Sequence, residues 1–243
     1  LALASGKTLW RTPVAAAYRN GMGNGSRATP VISGDRVVVF TGEGRLVALA
    51  AATGKTLWSK TYPTPFKIGG GADRHGKGPK SCPVYADGRV FVMSITGTLS
   101  AWNAATGKYL WKSELGSRFK IPHPYWGSST SPIVDGDRVI AHFGNDDRGV
   151  LAALDVKTGK VVWEEKLKGT GTRSRSWSSM VLADGKIYAT NQSADSFILK
   201  ASPKFELLAT NSLDEMTQSS MAISNGEIFI RTYKHLWCIS KHD

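Results

Sequence analysis

Ala153-Leu154-Asp155-Val156-Lys157-Thr158-Gly159-Lys160-Val161-Val162-Trp163 is a strand, a turn and a second strand written in eleven residues. Gly159 supplies the positive φ of a tight turn, Thr158 can hydrogen-bond its own backbone, and Lys160 keeps the tip solvated. Trp163 then brings a large ring that must find cover. The phrase recurs upstream as Thr106-Gly107-Lys108-Tyr109-Leu110-Trp111, as Thr53-Gly54-Lys55-Thr56-Leu57-Trp58 and as Ser5-Gly6-Lys7-Thr8-Leu9-Trp10, with Trp-to-Trp intervals of 52, 53 and 48 residues. A period near 50 is too long for most helical repeats and suits a four-stranded propeller blade.

The rest of each repeat agrees. Short openings stand at Thr29-Pro30-Val31-Ile32, Cys82-Pro83-Val84-Tyr85, Ser131-Pro132-Ile133-Val134, Ser179-Met180-Val181-Leu182 and Ser220-Met221-Ala222-Ile223. Each runs through a Gly turn beside Asp or Asn into a β-branched or aromatic run, such as Val37 to Phe40, which reads as a hairpin. A third strand follows, and the Thr-Gly-Lys turn leads to the fourth. The sequence therefore predicts an all-β fold: a β-propeller of four-stranded antiparallel blades, about five of them, in a single domain over 1–243. The expected blades are 28–62, 80–115, 130–167, 177–213 and 219–241, with 1–14 as a partial blade made of a third strand (Leu1 to Ala4) and a fourth (Thr8 to Val14). Trp10, Trp58, Trp111 and Trp163 are expected to dock in the seams between blades, because a repeat that cannot close its own core borrows its neighbour's surface. In the fourth repeat Ser202-Pro203-Lys204-Phe205-Glu206-Leu207-Leu208 replaces the phrase, which puts Leu208 at the Trp position.

Composition excludes other classes. Hydrophobic residues make up 41% and charged residues 21% of the 243, enough apolar side chain for a core and no signature of disorder. No apolar stretch approaches the roughly 18 to 20 residues of a membrane span. Leu1-Ala2-Leu3-Ala4 has no basic region before it, so the chain as given shows no signal peptide. Cys82 and Cys238 have no metal-ligand spacing and read as small buried residues. The five histidines lack an i, i+4 pair, so no metal site is assigned. The Gly-Lys-Thr tripeptides lie in strand-to-strand turns rather than before a helix, which removes the phosphate-loop reading.

The eleven-residue stretches ending at Trp58, Trp111 and Trp163 resemble the tryptophan-docking motif of the PQQ-like β-propeller repeat family, and the likeness covers the whole chain. That family includes quinoprotein alcohol and glucose dehydrogenases and the BamB lipoprotein of the outer-membrane assembly machine. Its members usually have seven or eight blades, so the resemblance implies that this chain is part of a seven- or eight-bladed ring, with a periplasmic or extracellular location. Quinoprotein dehydrogenases add an adjacent cysteine pair, Glu, Asn and Asp ligands for calcium and an Asp base, none of which can be assigned here. The reading is a non-catalytic scaffold without cofactor. The alternative is a fragment of a dehydrogenase using PQQ with calcium.

Charge suggests where a partner binds. The chain carries a formal +12 at a pI near 9.8, which favours acidic partners. Connectors 11–27, 59–80, 112–128, 164–176 and 209–218 carry +3, +4, +2, +2 and −2, so most of the excess lies there. Blade order gathers these connectors on one face, where like charges focus potential. Arg19, Arg27, Arg74, Lys80, Arg118, Lys120, His123, Trp126, Arg173, Arg175 and Trp177 are the candidate residues for a protein partner or anionic ligand. Arg27, Lys80, Arg118 and Arg175 are expected to line one mouth. Nothing resembles a base-reading motif, so specific nucleic-acid recognition is not expected.

Overall fold

The computed structural model describes residues 1–21, 23–25, 27–62, 70–76, 78–146, 148–169 and 175–240. Five antiparallel sheets follow one another, each with its strands in chain order. The first holds β1 (Val31–Ser33), β2 (Arg36–Phe40), β3 (Arg45–Ala50) and β4 (Thr56–Thr61), and the second β5 (Val84–Ala86), β6 (Arg89–Met93), β7 (Leu99–Asn103) and β8 (Tyr109–Ser113). The third holds β9 (Ile133–Asp135), β10 (Arg138–Phe143), β11 (Val150–Asp155) and β12 (Val161–Glu165). The fourth is β13 (Val181–Ala183), β14 (Lys186–Thr190), β15 (Asp195–Lys200) and β16 (Leu207–Ser212), and the fifth β17 (Ala222–Ser224), β18 (Glu227–Arg231) and β19 (Leu236–Ile239). The first strands of successive sheets lie side by side, so the sheets are stacked blades of an all-β propeller. Helical structure among the described residues is limited to 3₁₀ turns at Gly70–His75 and Leu115–Arg118.

The middle strands read as near-continuous apolar runs because each blade is covered on both faces. Three cores result, each shared by two blades. One joins Phe40 and Leu46 to Val92 and Trp102, the next Met93 and Leu99 to Val139 and Phe143, the third Ile140 and Leu151 to Ile187 and Phe197.

A hydrogen-bonded belt ties the blades together where each first strand begins. Thr29 N–H donates to Cys82 Sγ (3.2 Å), Cys82 N–H to Ser131 Oγ (2.9 Å), Ser131 N–H to Ser179 Oγ (3.0 Å) and Ser179 N–H to Ser220 Oγ (2.9 Å). Cys82 thus does a serine's work in a repeat series. The expectation that both cysteines are buried is corrected: Cys82 is only partly covered and Cys238, in β19, is exposed. No fourth strand pairs with β19 among the described residues, and all four of its residues are exposed.

Three of the four tryptophans dock as a repeat requires; Trp163, also expected to dock, is corrected, since it is only partly buried and meets the Phe205 side chain of a longer turn where the others meet a bare glycine. Trp111 Nε1 donates to Val156 O (3.0 Å) and its ring lies where a Cβ on Gly159 would come within 2.6 Å. Trp58 repeats this on Ala104 O (2.9 Å) and Gly107, and Trp10 on Ala51 O (2.8 Å) and Gly54. The turn glycine is therefore needed twice, for its left-handed φ and for the ring on top of it. In every four-stranded blade the ladder shifts register at the residue before this position, a β-bulge that leaves Leu57, Leu110, Val162 or Leu208 unpaired.

Two further expectations need correction. The fourth blade pairs Ile198 with Ala209 as the others pair Ala48 with Trp58, so Ala209 and not Leu208 holds the Trp position. The cause is a turn one residue longer, closed by Lys200 N–H to Glu206 O where the second blade uses Asn103 N–H to Lys108 O. The N-terminal segment is the other. Ala2 N–H to Lys7 O rebuilds the turn, yet residues 1–30 contain no strand among those described, because the segment has no paired neighbour.

Candidate functional site

The meander places the first-to-second and third-to-fourth turns at one end of every blade, and the second-to-third turns with the inter-blade connectors at the other. The candidate residues come from that connector end. Two groupings hold most of them.

The first is built on Trp126. Its ring packs where a Cβ on Gly71 would meet it at 2.4 Å, so the Gly70–His75 turn can approach only through glycine. His75 meets the ring edge-on (centroids 5.8 Å apart), and Tyr125 does so from its own side (5.1 Å). Lys80 Nζ donates to Trp126 O (2.7 Å). Arg27 reaches in from the start of the first blade, donating to Gly78 O (3.1 Å) with its guanidinium 5.3 Å from the Tyr18 ring centroid. Tyr18 OH in turn donates to His75 O. Crowding of cations shows in their protonation: burial, then Arg27, push Lys80 down to about 8, and burial followed by Lys80 and Arg27 lowers His75. Arg19 and Arg74 stand exposed on the same connectors.

The second grouping lies at the seams flanking the third blade. Arg118 grips both oxygens of Glu164 (2.9 Å each) with Phe119 beneath its guanidinium, so its charge is largely spent on β12. Arg175 Nε lies 4.0 Å from Asp146, whose carboxylate also accepts the Tyr125 N–H (3.0 Å). Lys120 is exposed, His123 is buried with Nδ1 against Pro124 O (2.8 Å), and Trp177 is partly buried. Arg173 lies outside the described residues. Arg27 and Lys80 thus share one aromatic cluster, while Arg118 and Arg175 each face a carboxylate elsewhere on the connector end.

Sequence reasoning missed His75, Asp146 and Glu164 as members of these groupings. Asp146 lies in a second-to-third strand turn, which shares the connector end, and that was the available signal. A fourth unassigned group is His142 in β10. It borders a cavity of about 80 Å³ between the third and fourth blades, and burial pushes its imidazole down to about 4. Among the described residues no three His, Cys, Asp or Glu side chains stand where they could hold a metal ion. No helix among them is long and apolar enough to cross a membrane. The connector end offers cationic and flat aromatic contacts.

Comparison with known proteins places these features in a family. A family model described as outer membrane protein assembly factor BamB matches residues 1–243. Outer membrane protein assembly factor BamB of Yersinia pestis is 24% identical over 229 residues, 93% of this chain and 51% of that protein. The dehydrogenase subunit of alcohol dehydrogenase (quinone) from Gluconobacter oxydans (strain 621H) is 34% identical over 151 residues, but that is 57% of this chain and 19% of the relative. The chain spans about half the length of such relatives, or less. In structure, BamB from Moraxella catarrhalis superposes with a TM-score of 0.65 at 17% identity, covering 93% of this chain and 61% of that one. Quinohemoprotein alcohol dehydrogenase from Comamonas testosteroni gives 0.63 at 16%, covering 84% and 43%. Both likenesses show the propeller fold, and with the match over its whole length the chain belongs to the BamB family of PQQ-like β-propellers.

Proposed function

We propose that this chain is a non-catalytic propeller of the cell envelope, of the BamB type, that binds a protein partner or anionic ligand through its connector end. The observation that carries this reading is the cluster in which His75 and Lys80 meet Trp126 and Arg27 joins through Gly78 and Tyr18, with Arg19, Arg74 and Lys120 exposed on the same connectors. Cations around a flat aromatic surface suit acidic groups and apolar side chains together. Membership of the family supports a periplasmic or extracellular location. The test is binding of polyglutamate, followed by fluorescence anisotropy, with Arg74 and Lys120 both changed to Glu. Neither residue forms an ion pair among the described residues, so reversal is expected to weaken binding at least tenfold with melting temperature nearly unchanged. Undiminished binding by the double variant contradicts the reading.

The identity to quinone-dependent alcohol dehydrogenase subunits favours a second reading, a fragment of a dehydrogenase that uses PQQ with calcium. The residues present do not fit that group: the chain has no adjacent cysteine pair, and its described carboxylates lie against cations, as Glu164 does on Arg118 and Asp135 and Asp137 do on Arg138, rather than grouped in threes. Saturable, calcium-dependent binding of PQQ would put this reading first.

A further inference from the structure

We propose that Lys80 is a modification site, where the amine adds reversibly to carbon dioxide and the carbamate so formed is held by Arg27 and His75. Three connectors build the place. Arg27 comes from the segment before the first blade, His75 and Lys80 from the one before the second, and Trp126 from the one before the third. Lys80 Nζ donates to Trp126 O (2.7 Å), Arg27 donates to Gly78 O (3.1 Å), and His75 stands edge-on to the Trp126 ring. Other lysines of the chain answer a carboxylate: Lys112 meets Glu114 at 2.6 Å, Lys200 meets Glu206 at 3.0 Å and Lys186 meets Asp184 at 3.1 Å. Lys80 has a neutral carbonyl instead. Neither it nor Arg27 nor His75 forms an ion pair among the described residues, so three basic groups share one aromatic cluster without an anion.

The crowding selects the chemistry. Like charges held together disfavour protonation, and burial followed by Arg27 brings Lys80 down to about 8. That is the range of an α-amino group rather than of a lysine. At pH 7.5 about a quarter of Lys80 is then free amine, against roughly a thousandth at the ordinary 10.5. The free amine is the nucleophile. Its lone pair attacks the carbon of carbon dioxide, a C–N bond forms as one C=O electron pair moves onto oxygen, and an N–H proton passes to water. The carbamate carries a negative charge where the ammonium carried a positive one, and the cations that repelled Lys80 become its partners. One N–H remains to donate to Trp126 O. Carbon dioxide is small and uncharged, so it reaches a partly buried amine without the desolvation that a ready-made carboxylate would suffer. The step is independent of the acidic-partner reading, and its test uses no polyanion.

The test equilibrates the whole chain with ¹³C-labelled bicarbonate and carbon dioxide at pH 7.5, traps carbamates by alkylation with triethyloxonium, and reads each amine by peptide mass spectrometry. The expected result is that Lys80 is trapped at least tenfold more than Lys108 and Lys160, which stand exposed in the Thr-Gly-Lys turns. Lys80→Arg keeps a charge and a donor for Trp126 O, and is expected to remove the ¹³C carbamate resonance assigned to this site. Arg27→Gln is expected to lower trapping at Lys80 at least threefold and to leave Lys108 and Lys160 as they were. Trapping at Lys80 no greater than at those two lysines overturns the proposal. So does label confined to the Leu1 amine, or parent-like trapping at Lys80 in Arg27→Gln.

Discussion

The seam between the second and third blades and the seam between the third and fourth are built by the same repeat and end differently. In the first, Trp111 is buried, lies on Gly159 and donates to Val156 O. In the second, Trp163 is only partly buried, meets Phe205 edge-on at 5.4 Å, and its sealed Nε1 has no partner among the described residues. The tryptophan is the same; the turn it meets is not. A turn closed by Thr-Gly-Lys presents a bare glycine and a carbonyl, while the longer Ser202-Pro203-Lys204-Phe205 turn presents a side chain. The docking site therefore belongs to the receiving blade, and a repeat can keep its ring while losing what the ring was for.

The largest expected contrast is Trp111→Ala against Trp163→Ala in urea unfolding. Emptying the docked seam is expected to cost about 3 to 5 kcal/mol, the usual loss for a large aromatic core residue, and the undocked seam markedly less. Equal losses would show that docking adds nothing to burial. Next is Gly159→Ala against Gly136→Ala. Both glycines have left-handed φ, +70° and +57°, but only at Gly159 does the new methyl meet an indole at 2.6 Å. The second change is expected to cost about 1 kcal/mol of backbone strain, the first about 2 to 3; the reverse order would remove the ring-on-glycine contact from the argument.

Trp→Phe separates the hydrogen bond from the ring. Trp111→Phe strands the Val156 carbonyl and is expected to cost about 1 to 3 kcal/mol. Trp163→Phe removes a donor with no partner and is expected to lie within about 0.5 kcal/mol of the parent. A large loss at Trp163 would mean that its indole N–H is satisfied in solution.

The last contrast is one of pH. His142 in the third seam stands where the second seam has Met93, and its folded value near 4 lies below the ordinary 6.5. The unfolded chain therefore binds the proton first as pH falls, so stability declines from about pH 6.5 and stops declining near 4. Between pH 7 and 5.5 this group accounts for roughly 1 kcal/mol, which His142→Met is expected to abolish. Asp146, Lys166 and Arg175 border the same cavity, and the difference between parent and variant isolates the imidazole from them. An unchanged pH profile would show that His142 takes up its proton in the folded state at an ordinary pH.

How much of this was legible depended on distance along the chain. Blade count, strand order and three docking tryptophans followed from a phrase of eleven residues, because turn chemistry is local. The shift from Leu208 to Ala209 escaped because one inserted residue near Pro203 changes register without changing composition. Arg118 with Glu164 and Arg175 with Asp146 pair across 46 and 29 positions, and no local pattern marks which carboxylate a connector will reach. His142 was readable in principle: aligned on Arg36, Arg89 and Arg138, it falls beneath Phe40 and Met93, a polar residue in an apolar column.

The connector end and the turn end can be compared by one experiment. Lysine acetylation, read by mass spectrometry, would be run with and without polyglutamate. Lys120 and Lys80 sit at the connector end, while Lys55, Lys108 and Lys160 sit in the Thr-Gly-Lys turns at the other. The expected result is that polyglutamate protects Lys120 and Lys80, that salt of about 0.5 M removes the protection, and that the three turn lysines react as before. Equal protection at both ends, or protection confined to Lys55, Lys108 and Lys160, would contradict a partner-binding connector face.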